Sequence, residues 1–516
     1  MPTPKSAKRP LREIACAFFN VRQPQRKKMR LMSRDEEKTA EDEENSDADW
    51  ETDSDFEISR SPPRARTRKR TVHNALDSLR VSLSHTSSRN CIPSTRPILA
   101  SFASHHTCDA FYCRSLYSGD LNLTPPYVCA YTHAAKRGTG RPLLAIGTEQ
   151  GSLHLVRTPA PSASSNTSSS RWMHLSPPLT HSWRAHMNGL FDAAWRPDDA
   201  RLATASADAS VRIWDPSRVT ASPVGHLPRV LSEDRGAAFA LHNLTGHAGT
   251  VKCVAWSPGD SDVLASGGRG GEICIWDLRL ASGGAGIVAK IWGAGGGEVT
   301  RAGRPKRGGG SVTGVVIWTR RLTIAINSVL RNWDIRYHRR TSTMRGPLNE
   351  PTRRSDTDPT LLTSRRPRAL TALASGFGLA ADLLFGVGAD SRVHAYDRES
   401  LAPLSHLGLR DPRLRTGSFY VRAATSPCGR WVACGSAGGG FVWDFAAVRK
   451  GRKGEGERAV RVCAQAGEVG AMDWAAEGGG TLAMGADDGT VRMWRPDWER
   501  RAEEHGAEEF WARAEA

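Results

Sequence analysis

Leu202-Ala-Thr-Ala-Ser-Ala-Asp-Ala-Ser-Val-Arg-Ile-Trp214-Asp215 reads as a short run of small and apolar residues, a tight polar turn, and a second apolar run closing on tryptophan and aspartate. Its alternation of apolar side chains at period two marks half-buried strands. Leu482-Ala-Met-Gly-Ala-Asp-Asp-Gly-Thr-Val-Arg-Met-Trp494 repeats the same form far down the chain. Working outward, the pattern recurs at Trp276, Trp333, Tyr396 and Trp443, and a degenerate first copy over 144–155 ends at Val156. Recurrence of such hairpins is the mark of propeller blades, each too small to bury its own apolar face. Seven copies predict an all-β, seven-bladed β-propeller over residues 127–497.

The anchors are spaced by 58, 62, 57, 63, 47 and 51 residues, against about 40–45 for an ordinary blade. The excess falls into low-complexity stretches at 158–180, 216–240, 281–310, 346–368 and 446–459. Long surface loops of this kind cost little, because closure entropy grows slowly with length. The remaining segments are a charged N-terminal tail (1–95), an irregular lead-in (96–126) and a short C-terminal tail (498–516) expected to be helical.

The tail runs from basic to acidic (35–57) to basic again, and is expected to be disordered because it has too little apolar surface to offset the entropy of folding. Two of its clusters, Arg26-Lys27-Lys28 with Arg30, and Arg66, Arg68, Lys69 and Arg70, read as nuclear-import signals, predicting a nuclear protein. Lys and Arg number 71 against 54 Asp and Glu, a net charge of +17, which suits acidic partners. No aromatic-interleaved basic groove or reading helix for DNA is evident. The ten cysteines are scattered without paired spacing and no apolar leader opens the chain, so a reducing, intracellular setting without a membrane span is expected.

Candidate chemistry is sparse. His105-His106-Thr-Cys108 followed by Cys113 matches no common zinc spacing. The glycine run at 293–297 lacks the Lys-Ser/Thr of a phosphate loop. With no nucleophile, base or paired carboxylates in recognisable order, the chain is expected to be non-catalytic, without metal or cofactor. The His and Asp residues that do recur belong to the blades. In blades of this repeat class a histidine before the first strand, an aspartate in the tight turn and the tryptophan can form a buried hydrogen-bonded chain that locks turn to strand. Blade two has the set as His186, Asp208 and Trp214; blade three has His247 and Trp276, with Gly270 at the aspartate position. That position holds Asn327, Asp390, Ala437 and Asp488 in blades four to seven, the last ahead of Trp494.

One feature exceeds what the repeat needs. Blade three ends in Trp276-Asp277-Leu278-Arg279 and blade four in Trp333-Asp334-Ile335-Arg336. With 71 basic residues in 516, two adjacent blades would both place one there about once in fifty by chance. Third-strand ends emerge on one rim of the disc, so Arg279 and Arg336 are expected side by side, presenting forked donors to carboxylates or carbonyls of a partner.

Tandem Trp-Asp-x-Arg boxes resemble those of WD-repeat receptors that dock on the damaged-DNA-binding adaptor of cullin-4 ubiquitin ligases. Within that group the chain is similar to the denticleless-type family, in its shorter, fungal form. The likeness rests on Trp183-Arg-Ala-His-Met-Asn-Gly-Leu-Phe-Asp-Ala-Ala-Trp195-Arg-Pro197, on Gly417-Ser-Phe-Tyr-Val-Arg-Ala-Ala-Thr-Ser-Pro427 and on Gly267-Gly-Arg-Gly-Gly-Glu-Ile-Cys-Ile-Trp-Asp-Leu-Arg279. The resemblance implies a substrate receptor whose Trp276, Asp277, Arg279, Trp333, Asp334 and Arg336 bind the adaptor. Its opposite face would engage substrates such as a replication-licensing factor loaded on the sliding clamp at chromatin. Animal members contact the clamp through a long tail beyond the propeller; here that position holds only residues 498–516. A competing reading is a WD-repeat chromatin or histone-binding scaffold, to which the acidic block at 35–57 and the basic balance both lend themselves.

Overall fold

The computed structural model describes residues 95–497 apart from 105–108, 117–121, 141, 159–179, 222–239, 284–285, 293, 295–309, 320, 336–349, 363–364 and 464. All of these lie in the compact unit Arg64–Ala516. Seven small antiparallel sheets follow one another along the chain. Their innermost strands are Pro126–Tyr131, Leu190–Trp195, Val251–Trp256, Val312–Trp318, Leu370–Ser375, Ala423–Thr425 and Val469–Ala475. Each packs on the next, with the seventh against the first. The expected seven-bladed propeller is therefore the observed fold.

Every anchor residue falls where the repeat predicted it, at or near the end of a third strand. Val156 lies in Ser152–Arg157, Trp214 in Ser210–Trp214, Trp276 in Ile273–Asp277 and Trp333 in Val329–Asp334. Tyr396, Trp443 and Trp494 hold the same place in the last three blades, and all seven side chains are buried. The reason is geometric: blades splay outward from the axis, and a large ring near the third strand fills the wedge between neighbours. Accordingly the core is divided among the blade interfaces. Trp214 packs with Trp183, Leu190 and Trp195 between blades one and two, and Trp276 with Val254 and Trp256 between blades two and three. Each buried indole removes roughly 150–250 Å² from water, about 4–6 kcal/mol of driving force.

The segment expected to be an irregular lead-in closes the ring instead. A short helix, Arg96–Ala100, precedes strands Phe102–Ala103 and Ala110–Tyr112, and both strands pair with Thr490–Pro496 of blade seven. Phe102 sets its ring edge-on to Trp431 and Trp474, each 5.9 Å away, and Thr95 bonds Asp444 and the Trp431 indole N–H. Its strands are too short for a period-two pattern to show, which is why composition alone misses them. Two chain segments distant in sequence thus share blade seven, tying the ring shut.

Of the interblade insertions, 446–459 is described in full: Phe445–Arg449 forms one helical turn capped by Asp444, whose side chain accepts from the Ala447 N–H. The tail clusters Arg26, Lys27, Lys28, Arg30, Arg66, Arg68, Lys69 and Arg70 and the tail 498–516 lie outside the described residues. Among the described residues seven cysteines are free thiols, no helix is long and apolar enough to cross a membrane, and no group of three His, Cys, Asp or Glu side chains is placed to hold a metal. Cys113 is buried between blades seven and one, where burial pushes its thiol well above the ordinary range; His105, His106 and Cys108 are outside the described residues.

Candidate functional site

Blade two carries the network read from its sequence, with one more member. His186 Nδ1 lies 2.9 Å from Asp208, its Nε2 lies 2.7 Å from Thr204 Oγ1, and the Trp214 indole N–H donates to that hydroxyl at 2.8 Å. A carboxylate can only accept, so Nδ1 carries a proton toward Asp208, and the Thr204 hydroxyl accepts from Trp214. Burial works against the Asp208 carboxylate, yet bonds from His186 and Ser210 hold it well below the usual carboxylate range. Asp208→Ala should therefore lower stability by about 1–3 kcal/mol, measured by urea denaturation, with no loss of partner binding at the rim.

Blade three completes the same network by a substitution the sequence reading missed. Gly270 is where the turn aspartate was expected, but Glu272, two residues on, takes the role with its longer side chain. His247 Nδ1 is 3.1 Å from Glu272, His247 Nε2 is 2.6 Å from Ser266 Oγ, and the Trp276 indole N–H donates to Ser266 at 2.8 Å. The Ala248 N–H and the Lys290 ammonium also reach Glu272, at 2.6 and 3.1 Å. Burial raises this carboxyl; those donors more than offset it and hold it at about 2.

The remaining blades with a described third-strand ring lack the hydroxyl on the second strand, and that position is legible from register. Thr204 and Ser266 become Ile324, Gly386, Cys434 and Met484 in blades four to seven. In blade four the Trp333 indole N–H finds no acceptor among the described residues, and the ring is held by packing against an apolar cluster that includes Leu322 and Ile324. Asp390 pairs with His394 of its own hairpin at 3.1 Å, and Asp488 caps its own turn at Thr490 and the Ala466 N–H. These residues are structural ties, each within or beside its blade.

The Trp-Asp-x-Arg rim lies at the other edge. In blade three Val263 pairs with Asp277 and Leu264 with both Trp256 and Trp276, so the turn at 257–262 and the box end share one face, opposite the Asp208-type turns. Trp276 is buried and Asp277 nearly so. Arg279 forks onto Asp277, Nε at 2.8 Å and Nη2 at 2.6 Å, and its Nη2 also meets Asp260 at 3.0 Å. These bonds raise its already high pKa. The guanidinium is thus oriented by its own blade while its side chain remains 43% exposed. In the neighbouring blade Arg196 joins Asp198 at 2.6 Å and crosses to Asp262 at 3.3 Å. Trp333 and Asp334 end the corresponding strand of blade four; Arg336 lies outside the described residues.

The two blades with complete networks are those that match the WD domain, G-beta repeat family, at residues 177–215 and 239–277. Beyond them, the chain is 30% identical over 373 residues to Cell division cycle protein cdt2 of Schizosaccharomyces pombe, covering 68% of this chain and 66% of that protein. The chain belongs to the denticleless-type WD-repeat family. It is 24% identical over 401 residues to the Denticleless protein homolog of Danio rerio, covering 73% of this chain and 53% of that one. With Protein lethal(2)denticleless of Drosophila melanogaster it shares 26% over 422 residues, 76% of this chain and 48% of the other. The chain spans about two thirds of the first relative's length and about half of the other two. Within this denticleless-type propeller, the sequence signals that would have revealed Thr204, Ser266 and Glu272 are a hydroxyl two residues beyond the residue paired with the tryptophan and a carboxylate displaced by the Gly270-Gly271 turn.

Proposed function

We propose that this chain is the substrate-recognition subunit of a cullin-4 type ubiquitin ligase, docking on the damaged-DNA-binding adaptor through Arg279 and Arg336. The observation that carries the reading is the pair of Trp-Asp-x-Arg boxes on adjacent blades, together with membership of the denticleless-type family. An Arg279 held by Asp277 has lost side-chain freedom before a partner arrives, which lowers the ordering cost of binding. In this reading the chain is a non-catalytic receptor: proximity of a held substrate to the charged ubiquitin carrier supplies the rate by effective concentration. Its substrates are chromatin-bound or clamp-bound proteins, a replication-licensing factor among them, degraded in step with replication and the cell cycle in the nucleus. The test is co-elution of the purified full chain with purified adaptor on gel filtration: a stoichiometric complex is expected, and separate peaks at micromolar concentrations would contradict the reading.

A further inference from the structure

The face opposite the rim carries a second constellation. In six blades the innermost strand is bulged after its first residue, and the ladder skips Tyr127, Phe191, Lys252, Thr313, Thr371 and Gly470. A bulge re-aims the side chain it carries. Tyr127 stacks on Phe191 at 5.7 Å and on Tyr420 at 4.9 Å, and Phe419 closes the group against Phe191 at 5.7 Å. Blade seven makes room with Gly470, where a Cβ would collide with the Tyr420 ring. Arg422 of blade six reaches across to Asp192 of blade two at 2.8 Å and also donates to the Phe191 carbonyl. Lys252 of blade three sets its ammonium 4.1 Å from the Phe419 centroid and 5.5 Å from that of Phe191. Blades one, two, three and six therefore meet at one aromatic patch in the mouth of the ring, and Phe419 is still 45% exposed.

The charges around this patch are not balanced. Asp192 is taken by Arg422 and the Val254 N–H. Asp487 accepts from the Tyr420 hydroxyl at 2.9 Å, Glu468 accepts from Ser418 and the Gly417 N–H, and Glu149 lies near Tyr127. Lys252 and the exposed Arg269 have no acidic partner among the described residues. Burial, with Arg269 and Arg422 nearby, pushes the Lys252 ammonium down to about 8. A carboxylate brought to this point would meet two cations that nothing else neutralises, and an apolar side chain beside it would cover Phe419.

We propose that the mouth docks a short acidic peptide segment of a partner protein, its carboxylate set against Lys252 and Arg269 and an adjoining aromatic side chain laid on Phe419 and Phe191. The proposal deepens the receptor reading by giving it a surface and a ligand class on the face away from the adaptor. Its chemistry does not depend on the adaptor, so the two readings fail separately.

The test is fluorescence anisotropy of the full chain with labelled Gly-Ser-Glu-Trp-Glu-Ser-Gly and its counterpart carrying lysine in place of glutamate. The acidic peptide should bind at least about tenfold more tightly, and Arg269→Glu or Lys252→Glu should each weaken it by roughly tenfold or more. Phe419→Ala should weaken it likewise, while Arg279→Ala should leave it unchanged. Arg269 is an exposed turn residue, so that variant decides the matter if Lys252→Glu folds poorly. Equal binding of the two peptides, no binding of either, or an Arg269→Glu variant that binds like wild type would overturn the proposal, whatever the adaptor does.

Discussion

Arg279→Ala combined with Arg336→Ala abolishes binding to the damaged-DNA-binding adaptor while the propeller stays folded. The second half of that expectation follows from where Arg279 sits. Its partners Asp277 and Asp260 belong to the same blade, and its side chain is 43% exposed; ion pairs this open to solvent add little to folding stability. The seven blade interfaces that hold the ring together do not include it. The first half follows from what a partner would lose. Arginines at the centre of an interface commonly dominate its affinity, so removing both should weaken association by roughly a thousandfold. Arg279→Lys should fall between, because an ammonium keeps the charge but not the fork. Biolayer interferometry against the purified adaptor reads the affinity, and a thermal melt of the same sample reads the fold. A folded double variant that binds at full strength would remove these residues from the site.

The largest stability effect is expected at Glu272. Its side chain is 2% exposed and answers three donors, from His247, Ala248 and Lys290. Glu272→Ala leaves a buried histidine network open and the Lys290 ammonium without its carboxylate, a loss of about 3–5 kcal/mol for a broken buried pair. The pH dependence has a definite sign. The folded carboxyl sits at about 2, below the roughly 4.3 of an unfolded glutamate. Its stabilisation is therefore present above about pH 4 and disappears as pH falls toward 2, amounting to about 3 kcal/mol across that window. Other carboxylates titrate there too, so the reading is the difference between wild type and Glu272→Gln in urea denaturation at pH 6 and pH 3. The gap should narrow at pH 3. A Glu272→Ala variant that melts like wild type would show that blade three is held by packing alone.

Blade number, the anchor residues and the position of the Trp-Asp-x-Arg boxes were readable from the chain because a period-two alternation ending on a ring survives long insertions. What escaped was set by the third dimension. Glu272 was passed over because the template asks for an aspartate at Gly270, whereas a side chain one methylene longer reaches the same histidine from two residues away. Phe102–Ala103 and Ala110–Tyr112 were passed over because two- and three-residue strands carry no periodicity, and their partner strand lies far downstream, as the Arg495–Asp109 pair with a separation of 386 also shows. The mouth was invisible for a related reason. Tyr127, Phe191, Lys252 and Phe419 are each ordinary in sequence; the repeated bulge aims the first three, and the segment ahead of blade six's first strand brings Phe419 to them.

The most direct test is what the native chain carries with it. Purified under gentle conditions from its own cells and compared by mass spectrometry with the Arg279→Ala, Arg336→Ala double variant, wild type should bring down the damaged-DNA-binding adaptor and cullin-4, and the variant should bring down neither. If wild type yields neither protein, the boxes are only strand ends, and a chromatin or histone scaffold becomes the better description of this propeller.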